Sequence, residues 1–204
     1  MDDIQAAVMH DVKNQLAELA LRLHRRGDAR AEMEIAMTAS RRLSEMLLLE
    51  RENNRQLSVN VNQVHPADFL EILAAEYAEF FPEKKLEIDA ARAPVSAFFD
   101  EGLIRIALSN ALHNACRHAR TKVTIAAYEE QGMLALEIAD DGPGFPDQVL
   151  QSAGEIPVAS TGIGTGLGIY LANRIAQMHC LDGRCGRVKL YNDKAGARFR
   201  MLLP

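Results

Sequence analysis

Asn110 and Asn114 lie four residues apart in Asn-Ala-Leu-His-Asn, a spacing that puts both side chains on one face of a helix. Their amide oxygens are hard donors, suited to a magnesium ion that also holds phosphate oxygens. Further on, Asp140-Asp141-Gly142-Pro143-Gly144-Phe145 offers a carboxylate ahead of a tight turn that a flat ring could approach. Then Gly162-Ile163-Gly164-Thr165-Gly166-Leu167-Gly168 runs into an apolar-periodic segment, the pattern of a phosphate-cradling loop at a helix start. The three segments together describe a pocket for a nucleotide and its divalent cation.

A second chemistry stands near the other end of the chain, in His10-Asp11-Val12-Lys13-Asn14. Ile4, Val8, Val12, Leu16, Leu19 and Leu23 recur at three- and four-residue steps and form an apolar stripe. His10 projects roughly 170° away from that stripe, and Asn14 falls on its exposed side one turn on. A lone histidine there would ordinarily be a solvated surface residue. A neighbouring carboxylate, an amide one turn away and a nucleotide pocket in the same chain argue for more. Neutral imidazole is a competent nucleophile near neutral pH. Asp11 is placed to accept the proton from one ring nitrogen, fixing the tautomer and leaving the other nitrogen to attack. Asn14 could orient a water or an acceptor beside the modified ring.

Two dissimilar halves must position these groups. Residues 3–54 read as two helices with a break at Arg26-Gly27-Asp28. In the second helix Ile35, Ala36, Ala39, Leu43 and Met46 to Leu49 cover more than one stripe. A single hairpin cannot bury so wide a face, whereas two hairpins paired as a four-helix bundle can. A homodimer is therefore expected. From about residue 57 the pattern changes. Leu57, Val59 and Val61 alternate as a strand does, and Pro66 opens a helix to about Phe81. Strands are predicted at 86–88, 95–99, 122–128, 133–139, 187–191 and 197–203, with helices over 100–118 and 166–178. The strands do not alternate regularly with the helices. That mixture predicts an α+β two-layer sandwich with its helices on one sheet face. The domains are expected at 1–55 and 56–204.

Composition narrows the partners. The 204 residues are 48% hydrophobic and 25% charged, with a net charge of −5, an ordinary globular balance that argues against nucleic acid. No apolar run reaches the length of a membrane span, and no signal-peptide pattern opens the sequence. Cys116, Cys180 and Cys185 complete no zinc pattern, and a reducing, cytoplasmic setting is the expectation.

In this order the motifs resemble those of the sensor histidine kinases of two-component systems, over nearly the whole chain. His10 to Asn14 is similar to that family's phosphoacceptor box, and Asn110 to His118 to its asparagine box. Asp140-x-Gly142-x-Gly144 is similar to its first glycine box, and Gly164-Thr165-Gly166-Leu167-Gly168 to its second. The resemblance implies a dimeric phosphoacceptor hairpin followed by a Bergerat (GHKL-type) ATP-binding domain. It implies autophosphorylation of His10 from ATP and Mg2+, with Asn110 and Asn114 on the metal and Asp140 accepting from the adenine amino group. Gly142 and Gly144 would admit the base where a side chain would clash, and the loop ending at Gly168 would line the phosphates. Arg117 stands where the family usually has lysine, and His118 where it often has an aromatic or histidine near the nucleotide. The phosphoryl group would pass to an aspartate on a response-regulator receiver domain. Asp11 and Asn14 also match the acid-plus-amide pair of a phosphatase mode. The segment from Pro146 to Thr161 is short for the family's lid and lacks its phenylalanine. No sensory segment is read in this sequence, so the expectation is either a sensor that has been cut away or a signal that arrives from another protein.

Three alternatives share parts of the pattern. ATPases of the Hsp90, gyrase and MutL groups place a glutamate, as base for water, where this chain has Asn110. Without that base, transfer to a separate nucleophile makes better sense. A serine kinase of the anti-sigma-factor type lacks the helical hairpin. A dimeric phosphotransfer adaptor without ATP use would have eroded boxes, and here all are intact.

Overall fold

The computed structural model describes residues 12, 14–16, 18–19, 22–23, 30–53, 57–152 and 167–204. The chain divides into two compact units, Met1–Ser58 and Val59–Pro204.

In the first unit, the described positions between 12 and 23 are helical, and α1 spans Arg30–Asn53. Helix α1 is rich in Ala, Glu, Leu, Met and Arg, all strong helix formers. Glu32 in its first turn and Arg51 in its last complement the helix dipole. The break expected at Arg26–Asp28 lies outside the described residues. On the expected stripe, Val12 is 39% and Leu19 46% exposed, and on α1 Ile35 is 70% and Met46 54% exposed. Apolar groups in this number facing water leave a face suited to a covering partner.

The second unit runs β1 (Asn62–Val64), α2 (Pro66–Phe80), β2 (Lys85–Arg92), β3 (Ala97–Phe99), α3 (Glu101–His118), β4 (Lys122–Glu130), β5 (Met133–Asp140), α4 (Asp147–Ser152), α5 (Leu167–Met178), β6 (Cys180–Leu181), β7 (Arg184–Cys185), β8 (Arg187–Asn192) and β9 (Ala197–Leu203). Five strands form one sheet in the order β2-β4-β5-β9-β8. Strand β2 lies parallel to β4, and the remaining pairs are antiparallel. Helices α2, α3 and α5 pack against this sheet, burying Leu70, Leu73, Ile104, Leu108, Ile125, Leu136, Leu171, Ile175 and Met201 completely. A polar network occupies outward-facing positions instead. Glu137 on β5 accepts from the Tyr128 and Tyr191 hydroxyls, each at 3.0 Å, and from Arg200 Nε at 2.6 Å. The unit is thus the α+β sandwich expected, with its helices on one face.

Several local expectations needed correction. The alternation at Leu57, Val59 and Val61 does not form a strand. Pairing begins at Asn62, where β1 finds β3, with Asn62 opposite Phe99. Strand β2 runs on to Arg92 because it follows β4 through an irregular register. Helix α4 and the small β6–β7 hairpin were not anticipated. In that hairpin the exposed Cys180 and Cys185 pair directly and are joined as a disulfide, where a reducing compartment predicted none. Cys116 is the free, buried cysteine among the described residues, its thiol pushed up to about 12 by burial.

Two long-range ties hold the helices in place. Asp100 caps α3 by accepting from Leu103 N at 3.0 Å, while its own N–H donates to His179 Nε2 at 3.0 Å. His179 Nδ1 in turn donates to Ile175 O at 2.8 Å, so both ring nitrogens are used and the tautomer is set. The end of α5 is thereby locked to the start of α3. Tyr77 on α2 donates to Ser109 O at 2.8 Å, one residue before Asn110.

Candidate functional site

Helix α3 carries Asn110 and Asn114 one turn apart. Asn110 is 3% exposed, and its Nδ2 has no hydrogen-bond partner among the described residues. Asn114 is half-buried. A buried amide without a partner costs about 1–3 kcal/mol and persists where something else is meant to satisfy it. An amide can donate from its NH2 and accept at its oxygen, so Asn110 suits a phosphate oxygen and a hard cation at once. No cluster of three carboxylate, histidine or cysteine side chains that could hold a metal occurs among the described residues. Two neutral amides are a thin donor set for magnesium, which completes its shell with water and phosphate oxygens. The residues fit a metal that arrives with a nucleotide.

At its C-terminal end α3 meets the acidic-glycine turn. A Cβ on Gly142 would lie 2.5 Å from His118 O and 2.7 Å from Asp140 Oδ1. Residue 142 must therefore be glycine for the chain's own packing, before any ligand is considered. Gly144 has φ +89, and a Cβ there would meet the Asn192 amide at 2.8 Å. The sequence-based reason for these glycines, room for a base, is not the one visible in the fold.

The two adjacent aspartates have different tasks. Asp140, at the end of β5, is buried, and its Oδ1 accepts from Gly142 N at 2.8 Å. Burial pushes its carboxyl up from the usual range, against the pull of the Gly142 and Ala197 amides and the His118 charge. A carboxylate offers about four lone-pair sites, so beyond the Gly142 and Ala197 amides it keeps acceptor capacity for a donor from a ligand. Asp141 points the other way. Its carboxylate accepts from Arg120 N at 2.7 Å, from Thr121 N at 3.0 Å and from Thr121 Oγ1 at 2.6 Å. Burial would raise its carboxyl, but the Thr121, Lys122 and Arg120 hydrogen bonds outweigh it and hold the group well below the usual range. Asp141 staples the α3–β4 connection to the end of β5. A depressed folded-state value means the stabilisation is present above the unfolded value of about 4 and is lost as pH falls through the folded one. Asp141→Ala should therefore cost about 1–2 kcal/mol at neutral pH, after discounting for solvent. In urea unfolding, the gap between variant and parent should shrink as pH falls toward about 3. A gap independent of pH would show that the ionised carboxylate is not the source.

Of the other expected residues, Arg117 is half-buried and His118 exposed on the last turn of α3, beside Asp140. Leu167 and Gly168 are half-buried at the start of α5. Gly164, Thr165 and Gly166 lie outside the described residues, as do His10 and Asp11. Asn14 is helical and exposed. The structure brings together Asp140, Gly142 and the end of the helix that bears Asn110 and Asn114. Sequence reasoning missed His179 and Asn192, which hold that arrangement from a distance.

Residues 99–204 match the family described as histidine kinase-, DNA gyrase B-, and HSP90-like ATPase. The chain is 26% identical over 187 residues to the sensor histidine kinase CpxA of Escherichia coli strain K12, covering 84% of this chain and 41% of that protein. It thus spans about two fifths of that curated relative's length. The crystal structure of the ATP binding domain of PrrB from Mycobacterium tuberculosis matches 71% of this chain and 96% of that domain, with a TM-score of 0.56 at 26% identity. The Acinetobacter baumannii histidine kinase AdeS matches 94% of both chains with a TM-score of 0.65 at 17% identity, a likeness of fold.

Proposed function

Because this chain belongs to the histidine kinase-, DNA gyrase B- and HSP90-like ATPase family, we propose that it is the kinase core of a two-component sensor. In this reading ATP lies against Asp140 and α3, and its terminal phosphoryl group moves to His10. The observation that carries it is the buried Asn110 amide, whose Nδ2 has no partner among the described residues, on the helix whose end abuts the Asp140–Gly142 turn. That pairing suits a ligand with a flat, amino-bearing ring at one end and phosphates at the other.

Each residue has a task in this scheme. Asp140 accepts from the adenine amino group at a lone pair beyond those taken by the Gly142 and Ala197 amides. Asn110 and Asn114 hold the cation, and the loop through Gly164, Thr165, Gly166, Leu167 and Gly168 donates backbone N–H groups to the phosphates. Arg117 adds a planar, permanently charged donor, and His118 borders the base. Magnesium bound there would neutralise charge on the phosphate oxygens. A ring nitrogen of His10 forms the N–P bond as the bridging P–O bond breaks and ADP leaves with the electron pair. The proton on the other ring nitrogen passes to Asp11. An aspartate on a receiver domain then takes the phosphoryl group from His10. Asn14, with Asp11, serves the reverse task of orienting water for dephosphorylation of that partner.

The exposed Val12, Leu19, Ile35 and Met46 support a homodimer that buries the first unit. No helix among the described residues is long and apolar enough to cross a membrane. A cytoplasmic site suits a protein fed by ATP, and there the exposed Cys180–Cys185 pair is open to reduction. Purified chain incubated with γ-labelled ATP and magnesium should acquire an acid-labile, base-stable label. Phosphoserine instead would favour the serine-kinase reading, and free phosphate alone an ATPase.

A further inference from the structure

Asn192 ends β8, the edge strand of the sheet, 47 residues from the turn it touches. Its side-chain amide makes a two-point contact with the backbone of Phe145. Phe145 N donates to Asn192 Oδ1 at 2.7 Å, and Asn192 Nδ2 donates to Phe145 O at 2.9 Å. One side-chain amide thus mimics a rung of β-sheet against a loop that has no strand partner of its own. The same amide lies flat beneath Gly144, whose added Cβ would sit 2.8–2.9 Å from its Cγ, Nδ2 and Oδ1. Gly144 itself holds a left-handed φ of +89, which favours glycine.

The support behind Asn192 is itself rigid. Asn192 pairs with Ala197 at the last rung of the β8–β9 hairpin. The turn beyond it is closed by Asp193, which accepts from Ala195 N at 2.8 Å, Gly196 N at 3.1 Å and Arg198 Nε at 2.7 Å. On its inner side the hairpin presses on the start of the same loop. A Cβ on Gly196 would stand 2.2 Å from Asp140 O and 2.9 Å from Gly142 N. The loop from Asp140 to Phe145 is therefore gripped at its base by Gly196 and at its far end by Asn192, both from one hairpin.

We infer that Asn192 is a positioning residue for the adenine ring. It fixes the Gly144–Phe145 backbone relative to Asp140, so that the surface facing the base is formed before nucleotide arrives. This rests on the ATP-site reading above and adds to it a residue outside every glycine or asparagine box. An unclamped loop would have to be ordered on binding, at the cost of affinity. The expected effect lies in nucleotide recognition and not in the transfer step, since both hydrogen bonds of the Asn192 amide go to the Phe145 backbone at the far end of the acidic-glycine turn.

The test uses the full chain with ADP titrated calorimetrically, amide exchange read at Phe145, and ATP dependence of autophosphorylation. Asn192→Ala should weaken ADP binding about tenfold, from the loss of two hydrogen bonds. It should raise KM for ATP with kcat nearly unchanged, and reduce the preference for ADP over GDP. Asn192→Ser, which keeps one hydrogen bond at a time, should recover part of the affinity. Faster exchange at Phe145 N–H should accompany each loss. Unchanged ADP affinity and base preference in Asn192→Ala would overturn the inference, as would a loss fully explained by a smaller folded fraction. Should the parent chain bind no ADP at all, the ATP-site reading itself falls.

Discussion

A chain carrying His10→Gln is expected to take up no label from γ-labelled ATP, a fall of roughly 10³-fold or more because glutamine offers no nucleophilic nitrogen. Its affinity for ADP should stay within about twofold of the parent's, well inside tenfold per 1.4 kcal/mol. The two expectations follow from a division of labour along the chain. His10 belongs to the unit Met1–Ser58, whereas Asn110, Asn114 and Asp140 belong to Val59–Pro204. Phosphoryl transfer depends on positioning and charge neutralisation, so removing the acceptor leaves the nucleotide's own contacts in place. Label persisting on the variant would assign the acceptor elsewhere. A parallel loss of ADP affinity would mean that His10 belongs to the nucleotide site, and the proposed scheme would be wrong.

The second large effect concerns Asn110 and combines stability with binding. Its buried Nδ2 lacks a partner among the described residues, so the free protein bears the desolvation cost without the bond. Asn110→Leu, close in volume, should leave the free chain as heat-stable as its parent or more so. The same change should abolish the stabilisation conferred by MgADP, which for the parent amounts to about 2.7 kcal/mol at one hundred times its Kd. Asn114→Ala, at the half-buried partner position, should cost about 10–100-fold in magnesium-dependent affinity while sparing what binds without the metal. Thermal melts with and without MgADP and with EDTA separate these outcomes. If Asn110→Leu destabilises the free chain and still responds fully to MgADP, Asn110 is a packing residue. This pattern, a site residue that weakens the fold it sits in, is expected where function and stability compete.

Local chemistry made most of the second unit legible. Pro66 at the first turn of α2 and Asp100 at the cap of α3 mark helix starts by what the backbone there requires. The strand pair β8 and β9 was readable from its period and from the polar turn between Asn192 and Ala197. Where local signals were equal, partners decided. Leu57 to Val61 alternate as well as any strand, yet only Asn62 to Val64 meet β3. Asp182-Gly183 is a two-residue hairpin turn legible in the sequence, and it sets Cys180 opposite Cys185.

By itself the order of residues determined the chemistry on offer: an asparagine pair at helical spacing, a carboxylate before a glycine turn, a glycine-rich loop, and a histidine away from its apolar stripe. Each is a short-range pattern, set by the 3.6-residue turn or by the dihedral freedom of glycine. Only the tertiary structure decided how two adjacent aspartates divide, because Asp141 is claimed by Arg120 and Thr121 and Asp140 by Gly142. It also decided why residue 142 is glycine, and that His179 and Asn192 hold α3 and the turn in place. Those contacts join segments 20 to 79 residues apart. No local period encodes such a meeting; it exists only once the sheet and helices have packed.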